Sequence, residues 1–131
     1  MKFHHIGIAC QSIKDATNIY KKMGYDIGPI IEDEIQNVRV CFLSMLNHPI
    51  LELIEPLTEY SPVNRIISKI GNSPYHSAYT TNDINVEISM LKKYGFLLIS
   101  SPVSAIAFDE NKICFMYNKD IGLIELIEEN I

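Results

Sequence analysis

The chain has 131 residues, 47% of them hydrophobic and 21% charged, with a net charge of −5 at pH 7. That is enough for one domain to bury a core without disulfide or metal staples. No apolar run approaches the ~20 residues that span a bilayer, no charged-then-apolar leader precedes Phe3, and the basic residues form no stripe along which a phosphate backbone could run. Membrane and nucleic acid are therefore not expected partners, and a cytoplasmic protein is expected.

In chain order, residues 3–10 alternate as a strand, and Ser12 or Asp15 then opens a helix with Ile13, Ala16, Ile19 and Tyr20 on its apolar face. Gly24 ends it. Strands follow near 25–31 and 38–46, separated by the acidic run Glu32-Asp33-Glu34, which is expected to be a solvated loop. The turn Asn47-His48-Pro49 leads into a third strand, Ile50-Leu51-Glu52-Leu53-Ile54-Glu55-Pro56. Ser61-Pro62 looks like a helix start with Pro at the first helical position, and that helix runs to Ile70 before Gly71. The second half gives a strand at 75–80, a helix from Asp83 to Tyr94 stopped by Gly95, and strands near 96–100, 111–117 and 122–128. The order βαβββ thus occurs twice, as modules 1–56 and 75–131 joined by a connector at 57–74, in a single domain.

The halves also match residue by residue, as an internal repeat does. Lys21-Lys22-Met23-Gly24-Tyr25 returns as Lys92-Lys93-Tyr94-Gly95-Phe96 at an offset of 71, and His5 returns as His76 at the same offset. Val40-Cys41-Phe42-Leu43 returns as Ile113-Cys114-Phe115-Met116, and Glu52 as Glu125, both at an offset of 73. Cys10, Cys41 and Cys114 are an odd count with no CxxC spacing, so buried free thiols in a reducing compartment are expected rather than a disulfide or zinc framework.

Side chains alternate along a strand, so Glu52 shares a face with Ile50 and Ile54, and Glu125 with Leu123 and Ile127. An unpaired carboxylate in such a setting costs several kcal/mol or becomes protonated, so a compensating partner is expected. Equivalent positions in the two modules let His5, Glu52, His76 and Glu125 form one N2O2 set, which suits zinc, nickel, cobalt, manganese or iron(II). Gly7, Ala9, Ala78 and Thr80 beside the histidines are small and leave room for a ligand. Each histidine or glutamate alone reads more simply as a core, surface or edge-strand residue; the matched set of four favours the metal. His4 and His48 have no such support and are expected to be structural or exposed.

The motifs HHIGIA at 4–9, VRVCFL with ILELIEP, SPVNRIISKIG at 61–71, YHSAYTTNDI at 75–84 and GLIELIE at 122–128 resemble the vicinal oxygen chelate superfamily, the glyoxalase/bleomycin resistance fold. Within it the chain is most similar to the methylmalonyl-CoA epimerase branch and next to glyoxalase I. The resemblance implies an α+β fold whose two βαβββ modules form a curved mixed sheet around one divalent metal ion. The ligands it implies are His5, Glu52, His76 and Glu125. The chain departs from epimerases of this group at Tyr75-His76, at Ser104–Asp109 in place of a glycine-rich loop, and at Val38–Cys41, which carries no acidic residue.

The activity implied is proton abstraction next to a carbonyl, with Glu125 and Glu52 as the bases. The substrate implied is an acyl-CoA thioester or, for a lactoylglutathione lyase of the glyoxalase I type, a thiol-derived hemithioacetal. A four-residue ligand set argues against an iron(II) dioxygenase, which needs open positions, and against a metal-free binding module. Open sheet edges lead to the expectation of a homodimer.

Overall fold

The structure is a computed structural model that describes residues 1–129; positions 130 and 131 of the expected second module lie outside the described residues. It is an α+β fold; the first half runs βαβββ, and the second follows the same plan with its outer strand split into two short pieces. The chain divides into two compact units, one formed by His5–Tyr75 and the other by residues 1–4 with the chain from His76 onward. Among the described residues no helix is long and apolar enough to cross a membrane.

The His5–Tyr75 unit contains most of β1 (Lys2–Ala9), then α1 (Ile13–Lys22), β2 (Asp26–Asp33), β3 (Val38–Ser44), β4 (Ile50–Pro56) and α2 (Val63–Ile70). Its strands lie in the order β2-β3-β4-β1, with β1 parallel to β4 and the other pairs antiparallel. The pleat sorts the side chains. Ile8, Cys10, Cys41, Leu43 and Leu53 turn to one face and pack with Ile13 of α1. His5, Gly7, Glu52 and Phe42 belong to the other face by register, Glu52 lying opposite Gly7 on one side and Phe42 on the other. Each fully buried aliphatic on the helix side contributes about 1.5–3 kcal/mol, so the register is set there and the site face inherits it.

The other unit repeats the plan with β5 (Ser73–Thr81), α3 (Ile84–Lys93), β6 (Leu97–Leu98), β7 (Val103–Ser104), β8 (Lys112–Asn118) and β9 (Gly122–Glu128). Its order is β5-β9-β8-β6, with β7 also on β8 and β5 parallel to β9. Ile84, Ile88 and Leu91 of α3 pack on Cys114, Met116, Ile124 and Leu126. Ala78, Glu125 and Phe115 are register partners on the opposite face.

Glu55 and Glu128, three residues beyond Glu52 and Glu125, fall on the helix face of their strands. Glu55 Oε1 accepts from the Ile13 backbone N–H at 3.0 Å, and Glu128 Oε2 accepts from the Ile84 N–H at 3.0 Å. Each carboxylate thus satisfies a free donor at the first turn of its module's helix, where the helix dipole favours negative charge. Ser12 and Asp83 complete the two caps by accepting from Asp15 and from Asn85 and Val86.

Four details depart from the sequence reading. The strand expected at 96–100 is only Leu97–Leu98, because Ser100-Ser101-Pro102 breaks the edge; β7 resumes on the same partner strand and a 3-10 turn follows at Ile106–Phe108. Asp33 is not a solvated loop residue: it ends β2, is buried, and accepts from the Gln36 backbone N–H at 3.0 Å and from its Nε2 at 2.7 Å, which closes the hairpin. Glu32 lies in β2 beside Arg39, whose Nε donates to Glu32 Oε1 and whose Nη1 donates to Glu55 Oε2. Ile19 is 57% exposed because α1 buries its sheet-facing stripe through Ile13, Ala16 and Tyr20 instead, and Pro62 caps α2 rather than opening it.

All three thiols are free and buried. Burial, reinforced by the nearby Glu55 carboxylate, pushes the Cys10 thiol up to about 12; burial and then Glu125 do the same to Cys114.

Removing either capping glutamate should loosen its own helix. Glu55→Ala and Glu128→Ala are each expected to lower stability by about 1–2 kcal/mol in urea unfolding, with the m-value unchanged.

Candidate functional site

Each unit holds one buried histidine against one buried glutamate. In the His5–Tyr75 unit, β1 presents His5 and β4 presents Glu52, and His5 Nε2 lies 3.3 Å from Glu52 Oε1. In the other unit, β5 presents His76 and β9 presents Glu125, with Nε2 to Oε1 at 3.4 Å. His5 is 0%, Glu52 4%, His76 5% and Glu125 2% exposed. The structure therefore joins the sequence-singled residues into two matching pairs. Of the other histidines, His48 is exposed, with Nδ1 2.8 Å from the Leu46 carbonyl and its ring against Tyr25; His4 is half-buried, edge-on to Phe108.

Why the backbone delivers this pairing follows from the parallel ladders. His5 pairs with Ile50 and Gly7 with Glu52 across β1 and β4, so histidine and glutamate sit diagonally on one face, two residues apart in register. Ala78 pairs with Glu125, which places His76 in the same diagonal relation to it. Gly7 and Ala78 carry little or no side chain at the position directly beside each carboxylate.

The Nε2–Oε1 spacing is at or beyond the usual 2.7–3.2 Å of an N–H···O hydrogen bond. It also equals an edge of a coordination shell. Two donors each ~2.1 Å from one divalent ion stand about 3.0–3.4 Å apart for bond angles between ~90° and ~109°. Imidazole nitrogen and carboxylate oxygen are ligands that zinc and its first-row neighbours accept. The residues present in each half fit such an ion.

Two residues that sequence reasoning left out stand beside the pairs. Phe42 meets the His5 ring edge-on, centroids 5.8 Å apart at 78°, and Phe115 meets the His76 ring at 5.2 Å and 82°. Their signal was visible in the repeat, since Phe42 and Phe115 are matched at the offset that relates Glu52 to Glu125. The segment Ser104–Asp109 also bears on the second half: Ala105 is fully buried against Ala78, Ile113 and Ile127, with Phe108 packed on the same cluster. This covers the site face of β5, β8 and β9.

Fold and side-chain placement define a two-module α+β protein with a buried histidine–carboxylate pair on each module. The Glyoxalase/Bleomycin resistance protein/Dioxygenase superfamily matches residues 4–115, and the chain belongs to that family. It is 36% identical to the uncharacterized protein YqjC of Bacillus subtilis over 99 residues, 75% of this chain and 70% of that one. It is 27% identical to the ethylmalonyl-CoA/methylmalonyl-CoA epimerase of Cereibacter sphaeroides over 129 residues, 95% of this chain and 96% of that one. A solved structure of a Streptomyces coelicolor methylmalonyl-CoA epimerase variant in complex with 2-nitronate-propionyl-CoA superposes with a TM-score of 0.83 at 25% identity, covering 98% of this chain and 94% of the other.

A carboxylate buried among aliphatics opposes folding wherever its contacts do not offset its desolvation. Glu52→Leu and Glu125→Leu, which replace a buried charge by an apolar side chain of similar volume, are expected to raise metal-free stability by ~1–3 kcal/mol in urea unfolding. A fall instead would mean that the carboxylate's contacts outweigh its desolvation.

Proposed function

We propose that the protein is a divalent-metal-dependent epimerase that removes and returns a proton at the carbon next to the carbonyl of an acyl-CoA thioester. One ion per site would be held by His5, Glu52, His76 and Glu125, which are the described side chains with donors suited to hold a metal ion. Zinc, nickel, cobalt, manganese and iron(II) all suit that set. The observation that carries the reading is the spacing of 3.3 and 3.4 Å between imidazole Nε2 and carboxylate Oε1 in the two pairs. The acyl-CoA class is supported by the similarity to the Cereibacter sphaeroides epimerase over nearly the whole of both chains.

When bound, such an ion supplies positive charge toward a carbonyl oxygen, which lowers the cost of forming an enolate. The chain supplies the rest. His5 and His76, held on buried strands, orient the site. Glu125, as the carboxylate, would take the proton from the carbon next to the carbonyl, and Glu52, its counterpart in the other module, would enter the cycle as the carboxylic acid and give its proton to the opposite face of the planar enolate, so that the two exchange protonation states in each turnover. The aliphatic neighbours Ile54 and Ile127 keep bulk water from the transferred proton.

The test is solvent deuterium incorporation into methylmalonyl-CoA by protein reconstituted with nickel, cobalt or zinc, beside an assay with methylglyoxal and glutathione. Incorporation by the parent, and a loss of about 10²-fold or more in Glu125→Gln with metal still bound, are the expected results. Turnover of the glutathione adduct alone would move the protein to the lactoylglutathione lyase reading. Exchange by Glu125→Gln at the parental rate would place the base elsewhere.

The proposed assembly is a homodimer. β2 is the outer strand of its sheet and bears Ile30, 56% exposed, so a second copy would cover an open edge. Sedimentation at micromolar concentration is expected to give twice the chain mass, and a monomer there would remove the dimer.

A further inference from the structure

The two phenylalanines beside the histidines have no part in proton transfer or in holding an ion, yet they occupy matched places. In each unit the phenylalanine lies directly across the ladder from the glutamate, Phe42 from Glu52 and Phe115 from Glu125. In each unit the same ring meets the imidazole edge-on. The aliphatic residues around them differ between the copies, Val40 against Ile113 and Leu43 against Met116, while the aromatic ring recurs.

An imidazole needs that kind of neighbour. Rotation about its outer torsion meets only a broad, roughly two-fold barrier, and turning the ring carries Nε2 away from the carboxylate oxygen while costing little by itself. A flat ring set nearly perpendicular to the imidazole blocks that rotation. It also adds the edge-to-face attraction of an aromatic pair. An aliphatic side chain of equal volume would fill the space without favouring one ring plane.

We propose that Phe42 and Phe115 are positioning residues, each fixing the imidazole plane of the histidine in its own unit so that Nε2 stays directed at the paired glutamate oxygen. The metal consequence rests on the reading of the pairs as ligands; the orientation of the imidazoles does not. In the second unit the positioning ring is itself held, since Phe115 packs on Ala78, Ala105, Ile113 and Ile127.

Phe42→Met and Phe115→Met keep apolar volume and remove the ring; Phe42→Tyr and Phe115→Tyr keep the ring. In the metal-free protein, imidazole carbon and nitrogen resonances are expected to be sharp in the parent. Phe42→Met is expected to broaden those of His5 and leave His76 alone, Phe115→Met to do the converse, and the Tyr variants to restore the parental lines. With cobalt(II) added, each Met variant is expected to bind about three- to tenfold more weakly, the scale of one aromatic pair, with an altered visible spectrum. Loss of packing alone would lower the melting temperature without this residue-specific broadening. Folded Met variants with parental imidazole lines would overturn the proposal, and Phe42→Leu and Phe115→Leu give the same reading where a Met variant does not fold. A parent that binds no cobalt would defeat the metal reading while leaving the resonance test decisive for the phenylalanines.

Discussion

Everything else in this fold is arranged around the burial of a carboxylate among aliphatic side chains. Glu52 and Glu125 are almost wholly out of water, where a lone charge would cost several kcal/mol. The strands answer that cost by bringing an imidazole nitrogen within 3.4 Å on the same face. To hold that imidazole, the neighbouring strand must run parallel and its residue beside the carboxylate must be small, as Gly7 and Ala78 are. To fix the strand's phase, its other face must pack against a helix. The helix core, the ladder register and the identities of the small residues thus follow from one electrostatic demand, met twice.

The helix side and the site side are also linked covalently through single strands. Glu55 and Glu128 reach the first N–H groups of α1 and α3 from the strands that carry the buried glutamates. Arg39 ties Glu55 to Glu32 on the outer strand, whereas the repeat places Lys112 at the matching position of β8. The two units therefore share a plan but differ in detail: the first is tied along its face by charge, the second covered on its site face by the Ala105–Phe108 turn.

The two modules, their helices and the four buried polar residues were legible in the sequence because each leaves a periodic or repeated mark. Alternation gave the strands, Gly24 and Gly95 the helix ends, and the repeat the pairing of His5 with His76 and Glu52 with Glu125. What escaped were features without a period. The edge after Phe96 reads as one strand until Pro102 is weighed, and the turn at Ile106–Phe108 has a composition no different from a strand. Asp33 looked solvated because its compensation comes from Gln36, three residues away, a local contact that charge counting does not register. Ile19 satisfied the helical period, but α1 turns Ile13, Ala16 and Tyr20 to the sheet and leaves Ile19 exposed.

Glu52 and Glu55 point to opposite faces only because three residues separate them on one extended strand. Deleting a residue between them would turn one of the pair to the wrong side, so the helix would lose its cap or the histidine its carboxylate. The same holds for Glu125 and Glu128. Length variation is thus confined to places that carry neither duty, and the internal duplication bears its own record of this. The two extra residues that shift its offset from 71 to 73 lie after Gly95 and before Ile113, in the stretch where one long outer strand has become two short ones and a turn. Divergence between the copies has been free to lengthen the outer edge, while the spacing of glutamates on the inner strands has kept its count.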